Sequence, residues 1–204
     1  MSAARAAMEM VSAPGAPDVL LPHGSETAVV DVLGVTAVVA YRRDVCEHRR
    51  RREAGTGALR RIDVLELLMG LPEGEPVPIA SLGEVERRAL KAMPPGVVVR
   101  QDGNVIRRAI EPVRVALAVV PARGWDSALE KVERFTPFCA RAVLVEGTLR
   151  RRADALMQAD FYGIGLWIAS GDGVDVLVPP RPFVRKRYTA AGWRFAEDVY
   201  RQLM

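Results

Sequence analysis

The side chains able to do chemistry in this chain are few and widely spaced. Cys46-Glu47-His48 puts a thiol and an imidazole two positions apart, which is half of a zinc-ligand set. The other half is missing: the only further histidine is His23, in a Pro/Ala-rich stretch, and the only further cysteine is Cys139. A structural zinc needs four such donors, so no metal site is expected. A nucleophilic Ser or Cys needs a base beside it, and neither histidine has a credible partner. Gly163-Ile164-Gly165 leads into a strand-like run rather than a helix, so its glycines cannot cradle a dinucleotide. The expectation is a chain with no catalytic residue, no metal and no cofactor.

Arginine is what the chain does carry, 26 against three lysines. The guanidinium fork matches phosphate oxygens. An Ala/Arg/Val-rich, lysine-poor chain is also what a GC-rich genome encodes, so position counts for more than number. Residues 42–61 hold eight arginines against Asp44, Glu47 and Glu53, net +5; the whole chain is +4, which leaves −1 for the rest. Arg42, Arg43, Arg49, Arg50, Arg51 and Arg52 are therefore the first candidate phosphate contacts, because neutralising a nucleic-acid backbone needs clustered cations and little else. The same run also suits a solvated helix, with Glu47–Arg51 and Arg49–Glu53 at i, i+4.

A second candidate group, Arg181, Arg185, Lys186 and Arg187, interleaves with Phe183 and Tyr188. Cations among aromatics suit single-stranded or looped nucleic acid, where bases stack; ordinary loop packing uses the same mixture. Arg150-Arg151-Arg152 opens a helix against its dipole and reads as an exposed face. The partners expected are nucleic acid, DNA ahead of RNA, or a protein. Exposed sheet edges would let two copies form a homodimer.

The elements that must position these groups fit in 204 residues, one large domain or two small ones, with 50% hydrophobic and 26% charged residues. The longest apolar run, Thr27 to Tyr41, is broken by Asp31 and is too short for the ~20 residues of a membrane span. No secretory signal is legible, and two isolated cysteines read as reduced thiols, so a cytoplasmic protein is expected. Residues 1–26 read as a flexible tail and 27–41 as one or two buried strands. Residues 48–59 read as an exposed connection ending in Gly55-Thr56-Gly57.

A short helix over 62–69 stops at Gly70-Leu71-Pro72, and a charged helix over 83–93 stops at Pro94-Pro95-Gly96. Gln101-Asp102-Gly103-Asn104 is a hairpin turn between strands 96–100 and 105–110. Residues 113–120 form a central strand covered on both faces. A helix capped by Asp126 or Ser127 follows, with Leu129, Val132 and Phe135 inward. Strand 142–145, helix 149–160 closed by Gly163, a hairpin (164–169 with 174–178) and a helix capped by Thr189 complete the pattern. Strands alternating with helices after a meander imply an α/β fold, a mixed central sheet flanked by helices. Residues 59–108 can also be read as a winged helix, which binds DNA by a helix in the major groove and a hairpin on the backbone. Glu84 and Glu86 count against that helix facing phosphates.

The stretch from Val113 to Val145 resembles the restriction-endonuclease-like, PD-(D/E)XK, superfamily. The resemblance rests on Trp125, Ala128, Leu129, Val132 and Phe135 after the central strand, and on Ala159-x-x-x-Gly163-Ile-Gly-Leu. It implies a restriction-endonuclease-like core of order αβββαβ within residues 83–204, with 27–82 as an N-terminal α/β extension that could form part of the winged helix. Such nucleases hold Mg²⁺ with two carboxylates and use a lysine on the central strand. In register with Trp125 those positions fall at Ala118, Val119, Val120 and Pro95-Gly96, none of which can hold a cation. A migrated site would have to use Asp102, Glu111 and Lys131. The resemblance therefore implies a nuclease-like fold that no longer cleaves and binds nucleic acid or a protein through its arginines.

Overall fold

The structure is a computed structural model that describes residues 3–11, 21, 23–170 and 173–204. Contacts divide the chain into two units, each interrupted by the other. Unit 1 is Met1–Arg42 with Val115–Arg185, and unit 2 is Arg43–Arg114 with Lys186–Met204. The expected boundary at Gly83 is thus replaced by boundaries near 42, 114 and 185.

Unit 1 is built on a six-stranded sheet of order β1-β2-β6-β7-β8-β9. β1 (Glu26–Val32) and β2 (Val35–Arg43) form an antiparallel hairpin, so the valine-rich run at 27–41 is two strands. β6 (Val113–Ala122) and β7 (Ala140–Val145) are parallel, as are β7 and β8 (Gly165–Ser170); β9 (Gly173–Val178) returns antiparallel. Successive side chains of β6 alternate between two covered faces. Leu117 and Val119 join Val38, Ala40, Ala142, Leu144 and Trp167 in one cluster. Ala118 and Val120 point the other way and are equally buried.

The first of those faces is covered in part by α1 (Ala3–Val11), whose Ala7 is fully buried within the cluster. This corrects the expected flexible tail over 1–26 in its first half. An Ala/Met-rich helix supplies the apolar stripe that the sheet lacks a partner for. Residues 12–20 of that stretch lie outside the described residues. On the other side, α5 (Trp125–Glu133) packs on β7, and α6 (Arg152–Tyr162) packs on β8 and β9. α5 starts slightly earlier than its side chains suggested: Gly124 is the N-cap, and Ser127 donates back to the Gly124 carbonyl. Trp125, Ala128, Val132 and Phe135 are all buried. Gly163 caps α6 in the left-handed conformation, as its position implied.

Unit 2 contains four further helices and a second sheet. α2 (Val45–Ala54) is capped by the Asp44 carboxylate, which accepts from the Glu47 N–H at 2.8 Å, and closed by left-handed Gly55. The exposed connection expected over 48–59 is therefore a helix with a tightly held exit, in which Arg51, Thr56 and Leu59 are buried. α3 (Ile62–Gly70) packs against α4 (Glu84–Lys91) and α7 (Ala190–Tyr200). Thr189 caps α7 through the Gly192 N–H, as expected.

The strands of unit 2 are β3 (Pro76–Pro78), β4 (Val98–Gln101) and β5 (Asn104–Arg107), in the order β3-β5-β4. The β4–β5 turn has Asp102 and Gly103 both at positive φ, the type I′ geometry expected from Asp-Gly. These two strands do not join the sheet that holds β6, which overturns the expected αβββαβ core beginning at Gly83. The place beside β6 is taken by β2 from the N-terminal segment. Pro95-Gly96, aligned with a metal-binding element by the resemblance, instead receives α2. Arg50 donates to the Gly96 carbonyl and Thr56 Oγ1 to that of Pro95.

Gly96 has φ of 77°, and a Cβ there would sit 2.5 Å from that of Ala54. Gly74 has φ of 75° and open space around it. Gly74→Ala should cost only the backbone strain, about 1–2 kcal/mol. Gly96→Ala should cost about 2–4 kcal/mol, because overpacking adds to the strain. Equilibrium unfolding of the two variants by urea measures the difference, and equal losses would mean that α2 does not press on Gly96.

Candidate nucleic-acid interface

The arginine run on α2 separates into two sets with opposite roles. Arg51, one of the expected phosphate contacts, has no exposed guanidinium at all. Its Nε donates to Glu47 at 2.6 Å, and both Nη atoms donate to Glu197 of α7 at 2.7 Å. A further donor reaches the Ile110 carbonyl at 3.2 Å, and the ring of Tyr200 lies 5.2 Å from the guanidinium carbon. Glu197 also accepts from the Leu59 N–H and from Trp193 Nε1. Arg50 is half-buried and forked onto Glu47 through Nε and Nη2. Arg51 is therefore no contact residue, and Arg50 has its donors directed inward. The physical reason is that a buried carboxylate with several donors requires a matched cation.

The outward residues of the run are Arg49 and Arg52, both exposed and without a hydrogen-bond or ion-pair partner among the described residues. Arg42 is exposed, with Nη2 on the His23 carbonyl at 2.7 Å, and Arg43 is half-buried with its own partners. His48 Nδ1 meets the Tyr200 hydroxyl at 2.9 Å, so the Cys46/His48 pair is not turned toward a common ligand. Among the described residues no group of three or more His, Cys, Asp or Glu is arranged to hold a metal.

The second expected group is split by the fold. Arg181 and Arg185 belong to unit 1 and Lys186 and Arg187 to unit 2. Arg181 is exposed but anchored, donating to the Asp160 carbonyl at 3.3 Å. Arg185 is half-buried and has partners, while Lys186, Arg187 and Tyr188 are exposed. Of the Arg150–Arg152 run, Arg151 pairs with Asp126 at 2.8 Å across the starts of α5 and α6.

The residues of a migrated metal site are divided between the two units. Asp102 is at the exposed tip of the β4–β5 turn, Glu111 lies beyond the far end of β5, and Lys131 is exposed on α5 of unit 1.

The cations of α4 were not among the expected contacts, yet Arg87, Arg88 and Lys91 are exposed while Ala89 and Leu90 face the core. Glu84 and Glu86, the acids that count against this helix, are both engaged at its start. The Glu86 carboxylate accepts from the Gly83 N–H at 2.7 Å, capping the helix, and Glu84 pairs with Arg88 at 3.2 Å. Both acids sit in the first turn, where the helix dipole favours them. Arg87 and Lys91 have no partner among the described residues. The i, i+4 spacing of these cations opposite Ala89-Leu90 was the available signal.

Within β4 and β5, by contrast, the cations are engaged, while Arg108 just beyond β5 is exposed. Arg100 donates to the Leu90 carbonyl, and Arg107 to those of Leu68, Leu71 and Ala109 while lying over the Trp193 ring at 5.0 Å. By sequence, unit 2 holds 18 basic against 13 acidic residues and unit 1 holds 11 against 12. The net positive charge is thus all on unit 2. No known family model matches the chain, and no curated protein or solved structure matches it.

The buried cluster has a pH signature. Burial alone would raise the Glu47 carboxyl, but hydrogen bonds and charge from Arg50 and Arg51 outweigh it and hold it below the ordinary carboxylate range. A carboxyl depressed by folding stabilises above its unfolded value, and the gain is lost as pH falls through the folded value. The thermal midpoint should therefore fall as pH drops below about 4.5, and Glu47→Gln should flatten that dependence. Glu197→Ala, which leaves Arg51 buried beside an empty half-site, should cost about 3–5 kcal/mol. Arg49→Ala should stay within about 0.5 kcal/mol. Urea unfolding at neutral pH separates the two, and a mild Glu197→Ala would place Arg51 in solvent.

Proposed function

We propose that this chain is a non-cleaving nucleic-acid-binding protein that grips duplex DNA through unit 2. The observation that carries the reading is the segregation of charge: +5 on unit 2 and −1 on unit 1, with Arg49, Arg52, Arg87 and Lys91 exposed and, among the described residues, unpartnered. Unpartnered cations are the ones whose counterions and waters a phosphate backbone displaces without breaking a contact inside the protein. The order α3–β3–α4–β4–β5, with β3 on the outer side of β5, supports a winged-helix reading of unit 2. In that reading α4 is the helix presented to the groove. The β4–β5 turn, with Asp102 at its tip, makes no phosphate contact.

Unit 1 supports the nuclease-like half of the reading in a different register. Leaving unit 2 aside as an insertion, the chain order is α1–β1–β2–β6–α5–β7, which is helix, three strands, helix, strand. The strand before the central one is then β2, and neither β2 nor β6 contains an acidic residue. Asp44, which follows β2, is occupied in capping α2. These positions offer a hard divalent cation no carboxylate to bind.

Fluorescence anisotropy on labelled duplex DNA, titrated with salt, tests the proposal. Log Kd should rise steeply with log salt, and deleting each cation that meets a phosphate should flatten the slope by roughly 0.9. The quadruple variant Arg49→Ala, Arg52→Ala, Arg87→Ala, Lys91→Ala should flatten it by at least two such increments. Binding that ignores salt, or none to DNA or RNA, would favour a protein–protein regulator. Mg²⁺-dependent cleavage abolished by Asp102→Asn or Glu111→Gln would overturn the non-cleaving part.

A further inference from the structure

The solvent face of α6 carries Met157 and Phe161, one turn apart and 67% and 74% exposed, followed by Tyr162 at 42%. Side chains at i and i+4 lie one above the other on a helix, so Met157 and Phe161 form one continuous apolar surface. Phe161 and Tyr162 rings meet edge to face, with centroids 5.1 Å apart. Large apolar side chains grouped this way mark a contact surface, where singly scattered ones do not.

The patch is held rigidly. Arg141 of β7 donates from Nη2 to the Tyr162 carbonyl at 3.0 Å, and Arg181 does the same to Asp160 at 3.3 Å. Its rim therefore carries both signs: Arg141 and Arg181 at the helix C-terminus, Asp154 and Asp160 beside Met157 and Phe161. Nucleic acid would meet the two aspartates as it reached the aromatic rings, and a purely acidic or basic peptide would meet repulsion from half the rim. A surface that is apolar in the middle and mixed around it is complementary to a surface built the same way. A two-fold interface presents one patch to itself, so cations on one copy meet acids on the other.

We propose that two copies of this chain pair through α6, with Met157 and Phe161 of each packed against those of the other and Arg181 of one facing Asp160 of its partner. A thioether against an aromatic ring is a favourable contact in such a core. This pairing uses a helix face of unit 1 and neither of the sheet edges at β1 and β9. It does not depend on the DNA reading.

Sedimentation velocity of the full chain over on the order of 1–100 µM tests it, a range in which small interfaces associate. The mass should move from 22.3 kDa towards twice that value. Phe161→Glu should remain monomeric at every concentration while keeping the wild-type thermal midpoint, since its side chain is exposed. Arg181→Glu alone and Asp160→Arg alone should each weaken association at least tenfold, and mixing the two variants should restore it. A wild-type chain that stays monomeric, a Phe161→Glu chain that still dimerises, or a mixture that fails to recover would each overturn the proposal.

Discussion

The fork of Arg51 into Glu197, with Glu47 alongside, is the constraint around which unit 2 is organised. Those three side chains come from α2 and α7, two segments far apart in sequence, and all three are shut off from water. The cluster balances: two carboxylates, Glu47 and Glu197, against Arg50 and Arg51, with backbone and indole donors filling the remaining lone pairs. A buried pair of this kind adds little stability compared with apolar residues of the same volume, yet removing one partner is costly. What it enforces is geometry. Arg51 is matched by a neighbour that offers two coplanar oxygens, which Glu197 of α7 supplies.

That constraint also sorts the arginines. Adjacent residues on a helix point about 100° apart, so a run of four cannot share one fate. Arg51 faces the core, Arg50 turns to Glu47 and Gly96, and Arg49 and Arg52 are left to solvent. The same division recurs on the hairpin, where Arg100 and Arg107 hold backbone carbonyls in place, and on α4, where Arg87 and Lys91 do not. Charge available to a partner is thus only part of the charge written in the sequence, and the net positive charge lies on unit 2.

Local elements were legible in the sequence because local chemistry decides them. Asp102-Gly103 set its turn, Gly163 and Thr189 ended and began their helices, and the apolar run at 113–120 became a strand covered on both sides. Pairing was not legible. Nothing in residues 96–110 reveals that their hairpin joins β3 rather than β6, since either partner would satisfy the same backbone groups. The exposed connection expected at 48–59 failed for a related reason: charge density looks like solvation unless the opposing carboxylate is known, and Glu197 lies 146 residues from Arg51. Of the expected contact residues, Arg49 and Arg52 face solvent and Arg51 does not, while Arg87 and Lys91 were masked by Glu84 and Glu86.

The interleaving of the two units has a consequence for how the chain is made. Arg51 leaves the ribosome about 7–30 s before Glu197 at ordinary rates of synthesis, and the strands β6 to β9 of unit 1 are translated in the interval. During that time α2 holds a guanidinium intended for the interior with only one of its two carboxylates at hand. The Arg51–Glu197 fork of unit 2 therefore closes only after β6 to β9 have been translated.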